Sequence, residues 1–108
     1  MFNNKNVKNI NADEAHKLIN ENKGMVILDV RTKGEFDSGH IPKAKNIPVE
    51  SVSSRVKELD KYKDSPILVH CASGGRSPSA VKVLVNNNFT QVYHLSSGLM
   101  SWKHQLKK

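Results

Sequence analysis

Met25 to Val30 is nearly all apolar and rich in β-branched side chains. A strand with one wet face alternates polar and apolar residues. A strand without that alternation is buried on both faces, as inside a parallel sheet. Ile67-Leu68-Val69, introduced by Pro66, is a second run of this kind. These two runs constrain the chain to a layered α/β arrangement, and the segments around them supply the other layers.

Val7 to Ile10 reads as an opening strand. Asn11 then caps a helix, and Glu14 completes a capping box. Ala15, Leu18 and Ile19 form its apolar stripe, and Gly24 is placed to end it. The polar stretch Arg31 to Lys43, with Gly34, Gly39 and Pro42, reads as a loop. Ala44 to Val49 is a weaker strand, with Pro48 near its end, and Val52, Val56 and Leu59 give a second helical stripe. After the strand Ile67 to Val69, Ser77 reads as an N-cap with Pro78 at the first helical position. Ala80, Val83 and Leu84 face inward from that helix. Val81, Val83 and Val85 suit a strand as well, but the cap signals favour helix. Asn86-Asn87-Asn88 stops it, since Asn tolerates the left-handed conformation. Gln91 to Leu95 is a last strand, followed by a closing helix with Leu99, Trp102 and Leu106 inward. The expected fold is α/β, with a mainly parallel central sheet of about five strands and helices on both faces. Sites in such sheets form at the carboxyl ends of strands.

A chain of 108 residues is expected to form one domain, residues 1–108, large enough to bury a core without staples. Apolar content of 37% and charged content of 25% place it among globular, soluble proteins. Cys71 is the only cysteine, so no internal disulfide exists, which fits a reducing compartment. No metal-ligand spacing occurs. Met1 to Asn6 lacks the features of a signal peptide, and no apolar run approaches the ~20 residues of a membrane span. The expected location is the cytoplasm. The net charge of +7 comes from lysines spread along the chain, without aromatic-basic interleaving. Nucleic acid and membrane are therefore not expected partners, and the charge reads as a lysine-rich surface, either incidental or helpful for drawing in small anions.

Cys71 closes the second buried run, and Ala72-Ser73-Gly74-Gly75 leads from it to Arg76 and Ser77. The thiolate is the reactive form of cysteine, and an unperturbed thiol is mostly protonated at neutral pH. The positive end of the helix near Pro78 favours the thiolate. So does Arg76, if its guanidinium or its backbone turns toward the sulfur. Gly74 and Gly75 let the chain curl so that backbone N–H groups converge on one centre, and Ser73 and Ser77 add hydroxyls. This is a design for a charged sulfur and an anionic substrate.

The chain resembles the rhodanese-like sulfurtransferase domain over essentially its whole length. The resemblance rests on Val26-Ile27-Leu28-Asp29-Val30-Arg31, Glu35-Phe36, Gly39-His40-Ile41-Pro42 and Ala44, Asn46, Ile47 and Pro48. It continues in the loop Cys71 to Ser77, similar to Cys-x-x-Gly-x-Arg-Ser, and in Gly98 and Trp102. It implies sulfur transfer by double displacement. The Cys71 thiolate takes the outer sulfur of thiosulfate, a persulfide or a polysulfide. The resulting persulfide is held by loop N–H groups from Ala72 to Arg76. It is discharged to cyanide in an assay, or to a thiol or protein in the cell. The resemblance implies no metal and no organic cofactor. It also implies that Asp29 and Arg31 tie the loops together, and Glu35, four residues from Arg31, is by that spacing the expected partner of Arg31 in this supporting role. His40 is expected to be structural, Trp102 to belong to the core, and His70 to be packed or at the surface.

Phosphatases that resemble this fold use a longer Cys-x5-Arg loop, whereas this chain has Cys71-x4-Arg76. Phosphatase or arsenate reductase activity is therefore the lesser alternative. The other alternative is a sulfur-delivery or protein-interaction module without small-molecule turnover. Ser97 and Asn88 stand where the family often has glycine, and Ala72 stands where it often has a charged side chain. With Arg76 as the loop's only cation, persulfide or polysulfide donors gain weight over thiosulfate. A single thiol also means that the sulfur must leave to an external acceptor.

Overall fold

The capping box read at Asn11 and Glu14 holds in the computed structural model, which describes residues 4–108. In chain order the elements are β1 (Val7–Ile10), α1 (Ala12–Glu21), β2 (Val26–Asp29), α2 (Lys33–Ser38), β3 (Lys45–Asn46) and α3 (Val49–Arg55). A 3₁₀ segment, Val56–Tyr62, prolongs α3, followed by β4 (Ile67–His70), α4 (Ser77–Asn86), β5 (Val92–Leu95) and a 3₁₀ turn, Leu99–Ser101. The five strands form one parallel sheet in the order β1-β5-β4-β2-β3.

β2 and β4 occupy interior places in that order, and every residue of both is buried. Their side chains alternate between two cores. Val26, Leu28, Val30, Ile67 and Val69 pack with Val52, Leu59, Ala80, Val81 and Leu84 from α3, its 3₁₀ extension and α4. Met25, Ile27 and Leu68 pack on the other face with Ala12 and Ala15 of α1 and with Ile41 and Leu95. Helices therefore cover both faces of the sheet, as the uninterrupted apolar runs require.

Several boundaries differ from the sequence reading. The first helix closes at Asn22, whose side chain donates to the Leu18 carbonyl, before Gly24 is reached. The stretch Arg31 to Lys43 is not all loop, because Thr32 and Glu35 build a second capping box and start α2. The strand expected over Ala44 to Val49 shrinks to Lys45–Asn46, and Pro48 becomes the residue that opens α3. The stripe of Val52, Val56 and Leu59 is buried as expected but changes from α to 3₁₀ geometry at Val56.

Ser77 lies inside α4 rather than capping it, since its hydroxyl is engaged elsewhere, and Arg76 takes the cap position. In α4 it is Val81 that is fully buried, with Val83 packed partly against the core. The closing helix is absent. After the 3₁₀ turn the chain runs back to pair with the His40 segment through two backbone hydrogen bonds with Lys107, leaving Leu106 44% exposed. Trp102 is half-buried against the second core. The signal-peptide reading rests partly on Met1 to Asn3, which lie outside the described residues. Among the described residues no helix is long and apolar enough to cross a membrane.

Candidate functional site

Cys71 follows the last residue of β4, at the carboxyl end of an interior strand and just below the amino end of α4. Its side chain is 1% exposed. The Gly74 N–H donates to Sγ at 3.1 Å and the Ser77 N–H at 3.3 Å, and the Ser77 hydroxyl lies 3.4 Å from the sulfur. Burial pushes the thiol pKa up. The Ser77 hydroxyl and the backbone N–H groups of Ser77, Arg76 and Gly74 outweigh burial and leave it below its ordinary value.

Two glycines give the loop its shape, and only one of them lies within it. Gly74 has φ +97°, and a Cβ there would run into the Ser96 carbonyl. Gly98 has φ +73°, and a Cβ there would strike the Ala72 carbonyl. The turn after Gly98 clasps the loop from behind: the Leu99 N–H donates to the Cys71 carbonyl and the Met100 N–H to that of Ala72, both at 2.9 Å. Gly75 has open space around it and an exposed position, so its lack of a side chain is not what bends the loop. Ser73 is also exposed.

Arg76 does not aim its guanidinium at the sulfur. It forms a two-pronged ion pair with Glu35, Nη1 to Oε1 at 2.8 Å and Nη2 to Oε2 at 3.0 Å. Glu35 is therefore the partner of Arg76 and not of Arg31, correcting the expectation from sequence. The Arg76 hydrogen bonds, followed by the Thr32 backbone N–H, lower the Glu35 pKa from 4.5 to about 2. Arg31 turns inward to Asp29, Nη2 to Oδ2 at 2.8 Å, and donates to the Gly39 carbonyl at 2.7 Å. Asn46 Nδ2 bridges the Asp29 and Arg31 carbonyls. Asp29 and Arg31 thus join β2, β3 and the segment after α2.

His70 is fully buried behind the loop. Its Nδ1 lies 3.0 Å from the Cys71 carbonyl and its Nε2 3.7 Å from Asp29 Oδ2. Burial lowers its pKa. His40 stacks on Phe36 with ring centroids 3.8 Å apart. Sequence reasoning passed over two residues near the site. His94 Nε2 lies 2.6 Å from the Ser77 hydroxyl, and His94 Nδ1 lies 2.9 Å from Asn9 Oδ1. The signal for them was a histidine between apolar residues in Val92–Leu95.

Beside the loop opens a groove of about 730 Å³, bordered by Gly74, Ser96, His94, Asn9 and Lys82. Among the described residues no group of three or more His, Cys, Asp or Glu side chains is gathered to hold a metal ion. The arrangement can hold a negative charge on the sulfur with neutral donors, while the nearby guanidinium is already neutralised.

A family model described as the rhodanese-like domain matches residues 11–105. The chain is 35% identical over 97 residues to the thiosulfate sulfurtransferase GlpE of Stutzerimonas stutzeri, covering 90% of this chain and 85% of that protein. It is also 35% identical over 81 residues to the uncharacterized protein YqhL of Bacillus subtilis, covering 75% of this chain and spanning 63% of that protein's length. The crystal structure of a rhodanese-like domain protein from Staphylococcus aureus superimposes with a TM-score of 0.78 at 31% identity, covering 93% of this chain and 96% of that one.

Proposed function

Because the chain belongs to the rhodanese-like domain family, we propose that it is a sulfurtransferase that carries a sulfane sulfur as a persulfide on Cys71. The observation that carries this reading is the convergence of the Gly74 and Ser77 N–H groups on Sγ, at 3.1 and 3.3 Å. The Cys71 thiolate attacks the outer sulfur of the donor, and the donor's S–S bond breaks as a new one forms on Cys71. With thiosulfate the leaving group is sulfite. The same N–H groups that hold the thiolate then stabilise the persulfide anion, an electrostatic role for fixed dipoles. An external thiophile removes the sulfur and regenerates the thiolate, and no step calls for a metal or an organic cofactor.

Persulfides and polysulfides are favoured as donors over thiosulfate. Arg76 is the only cation within the loop, and its guanidinium is committed to Glu35, which leaves the doubly charged thiosulfate without a free cation on the loop itself. The wider similarity to GlpE of Stutzerimonas stutzeri supports sulfur chemistry over phosphate chemistry, as does the Cys71-x4-Arg76 spacing. The test is intact-mass measurement after incubation with thiosulfate or with glutathione persulfide. A gain of one sulfur atom, absent in Cys71→Ser, is expected, with faster loading from the persulfide. No adduct from any sulfane donor overturns the proposal. A negligible small-molecule turnover combined with Cys71-dependent capture of a protein acceptor favours the sulfur-delivery alternative.

A further inference from the structure

The hydrogen bonding at Ser77 does not stop at the sulfur. The Ser77 hydroxyl oxygen is 3.4 Å from Cys71 Sγ on one side and 2.6 Å from His94 Nε2 on the other. His94 and Asn9 are register partners across β1 and β5, and His94 Nδ1 is 2.9 Å from Asn9 Oδ1. An amide oxygen only accepts, so Nδ1 carries the proton and Nε2 presents a lone pair. Nε2 then receives the Ser77 O–H, and the Ser77 oxygen receives the Cys71 S–H. The chain of donors runs in one direction from the thiol to the amide. Cys71, Ser77 and His94 are 1%, 0% and 4% exposed, so water does not compete for these bonds.

We propose that His94, acting through Ser77, accepts the Cys71 proton and so generates the thiolate. This inference rests on the sulfur-transfer reading above and assigns a positioning residue to it. The step balances without another reactant. The Cys71 S–H bond breaks and its proton joins the Ser77 oxygen as the Ser77 proton passes to His94 Nε2. A thiolate, a neutral serine and an imidazolium result. Burial lowers the His94 pKa, which favours the neutral ring with its Nε2 lone pair facing the Ser77 hydroxyl. His94 also borders the groove beside the loop. Among the described residues, the charged side chain facing that groove is Lys82 of α4. On the loop itself Arg76 is paired with Glu35, and His70, buried on the other side of Cys71, bonds the Cys71 carbonyl.

The test is the pH dependence of Cys71 alkylation by iodoacetamide, in the wild type, His94→Gln, Ser77→Ala and the double variant. This reaction needs no sulfur donor. In His94→Gln the apparent thiol pKa is expected to rise by about one unit, slowing alkylation near pH 6.5 roughly tenfold. The double variant is expected to match the stronger single variant, because both act on one path. A His94→Gln profile that superimposes on the wild type, or effects that simply add, overturns the relay. Should His94→Gln not fold, nitrogen-15 titration of His94 in the wild type replaces it. Capping Cys71 is then expected to lower the His94 pKa, and an unchanged value overturns the relay. A protein whose alkylation follows the relay, but which takes sulfur from no sulfane donor, counts against the sulfurtransferase reading alone.

Discussion

Glu35 holds two structures at once. Its Oε1 accepts the Thr32 N–H at the start of α2 and also receives Arg76 Nη1 from the cysteine loop. Its folded pKa of about 2 lies below the ordinary 4.5. The stability it contributes is therefore present above the ordinary value and lost as pH falls from about 4.5 toward 2. The pair is more than a third exposed, so solvent screening holds that contribution to about 1 kcal/mol or less. Glu35→Gln is expected to unfold more easily than the wild type at pH 7 and equally easily below pH 2, as read by urea midpoints across that range. Gly74→Ala forces a side chain against the Ser96 carbonyl at φ +97°. It is expected to cost roughly 1–3 kcal/mol and to abolish sulfur loading in the mass assay. At this scale the spacing Cys71-x4-Arg76 was legible because it is local. The Glu35–Arg76 pair, 41 positions apart, and the Ser77–His94 bond were not, because only the folded sheet brings them together.

Among the elements, α2 shows how a correct rule goes unused. Thr32 and Glu35 repeat the pattern of Asn11 and Glu14, which announced α1. The two boxes differ in the residues downstream of them. After Asn11 the apolar residues recur at helical spacing and Ala12 and Ala15 are buried, whereas α2 buries no residue. Without an apolar stripe, periodicity is silent and only the cap speaks. A short helix held by its cap depends on that cap. Thr32→Ala is expected to cost about 1 kcal/mol. It should also loosen the hold on Arg76, measured as faster hydrogen exchange at the Gly74 and Ser77 amides. The apparent closing helix failed for the opposite reason. Leu99, Trp102 and Leu106 have helical spacing, but backbone pairing with His40 draws the chain out straight and leaves Leu106 in solvent.

For the molecule as a whole, the apolar runs at β2 and β4 carried the fold. Buried residues on both faces require a parallel sheet between two helical layers, and the two cores meet that requirement. The net charge of +7 acts over the same scale. Loading of Cys71 by an anionic donor is expected to slow as salt is raised, because the field that draws in the donor is screened within about 10 Å at 0.1 M. Stopped-flow loading rates against ionic strength check this. The clasp around the cysteine loop bears on how the protein comes into being. The Cys71 and Ala72 carbonyls are pinned by Leu99 and Met100, and the Ser96 carbonyl stands against Gly74. A nascent chain that has released Cys71 but not yet this later segment holds a thiol without its cradle. The backbone support of the cysteine loop therefore closes only after Ser96 to Met100 have been made, and a chain cut short before them lacks it.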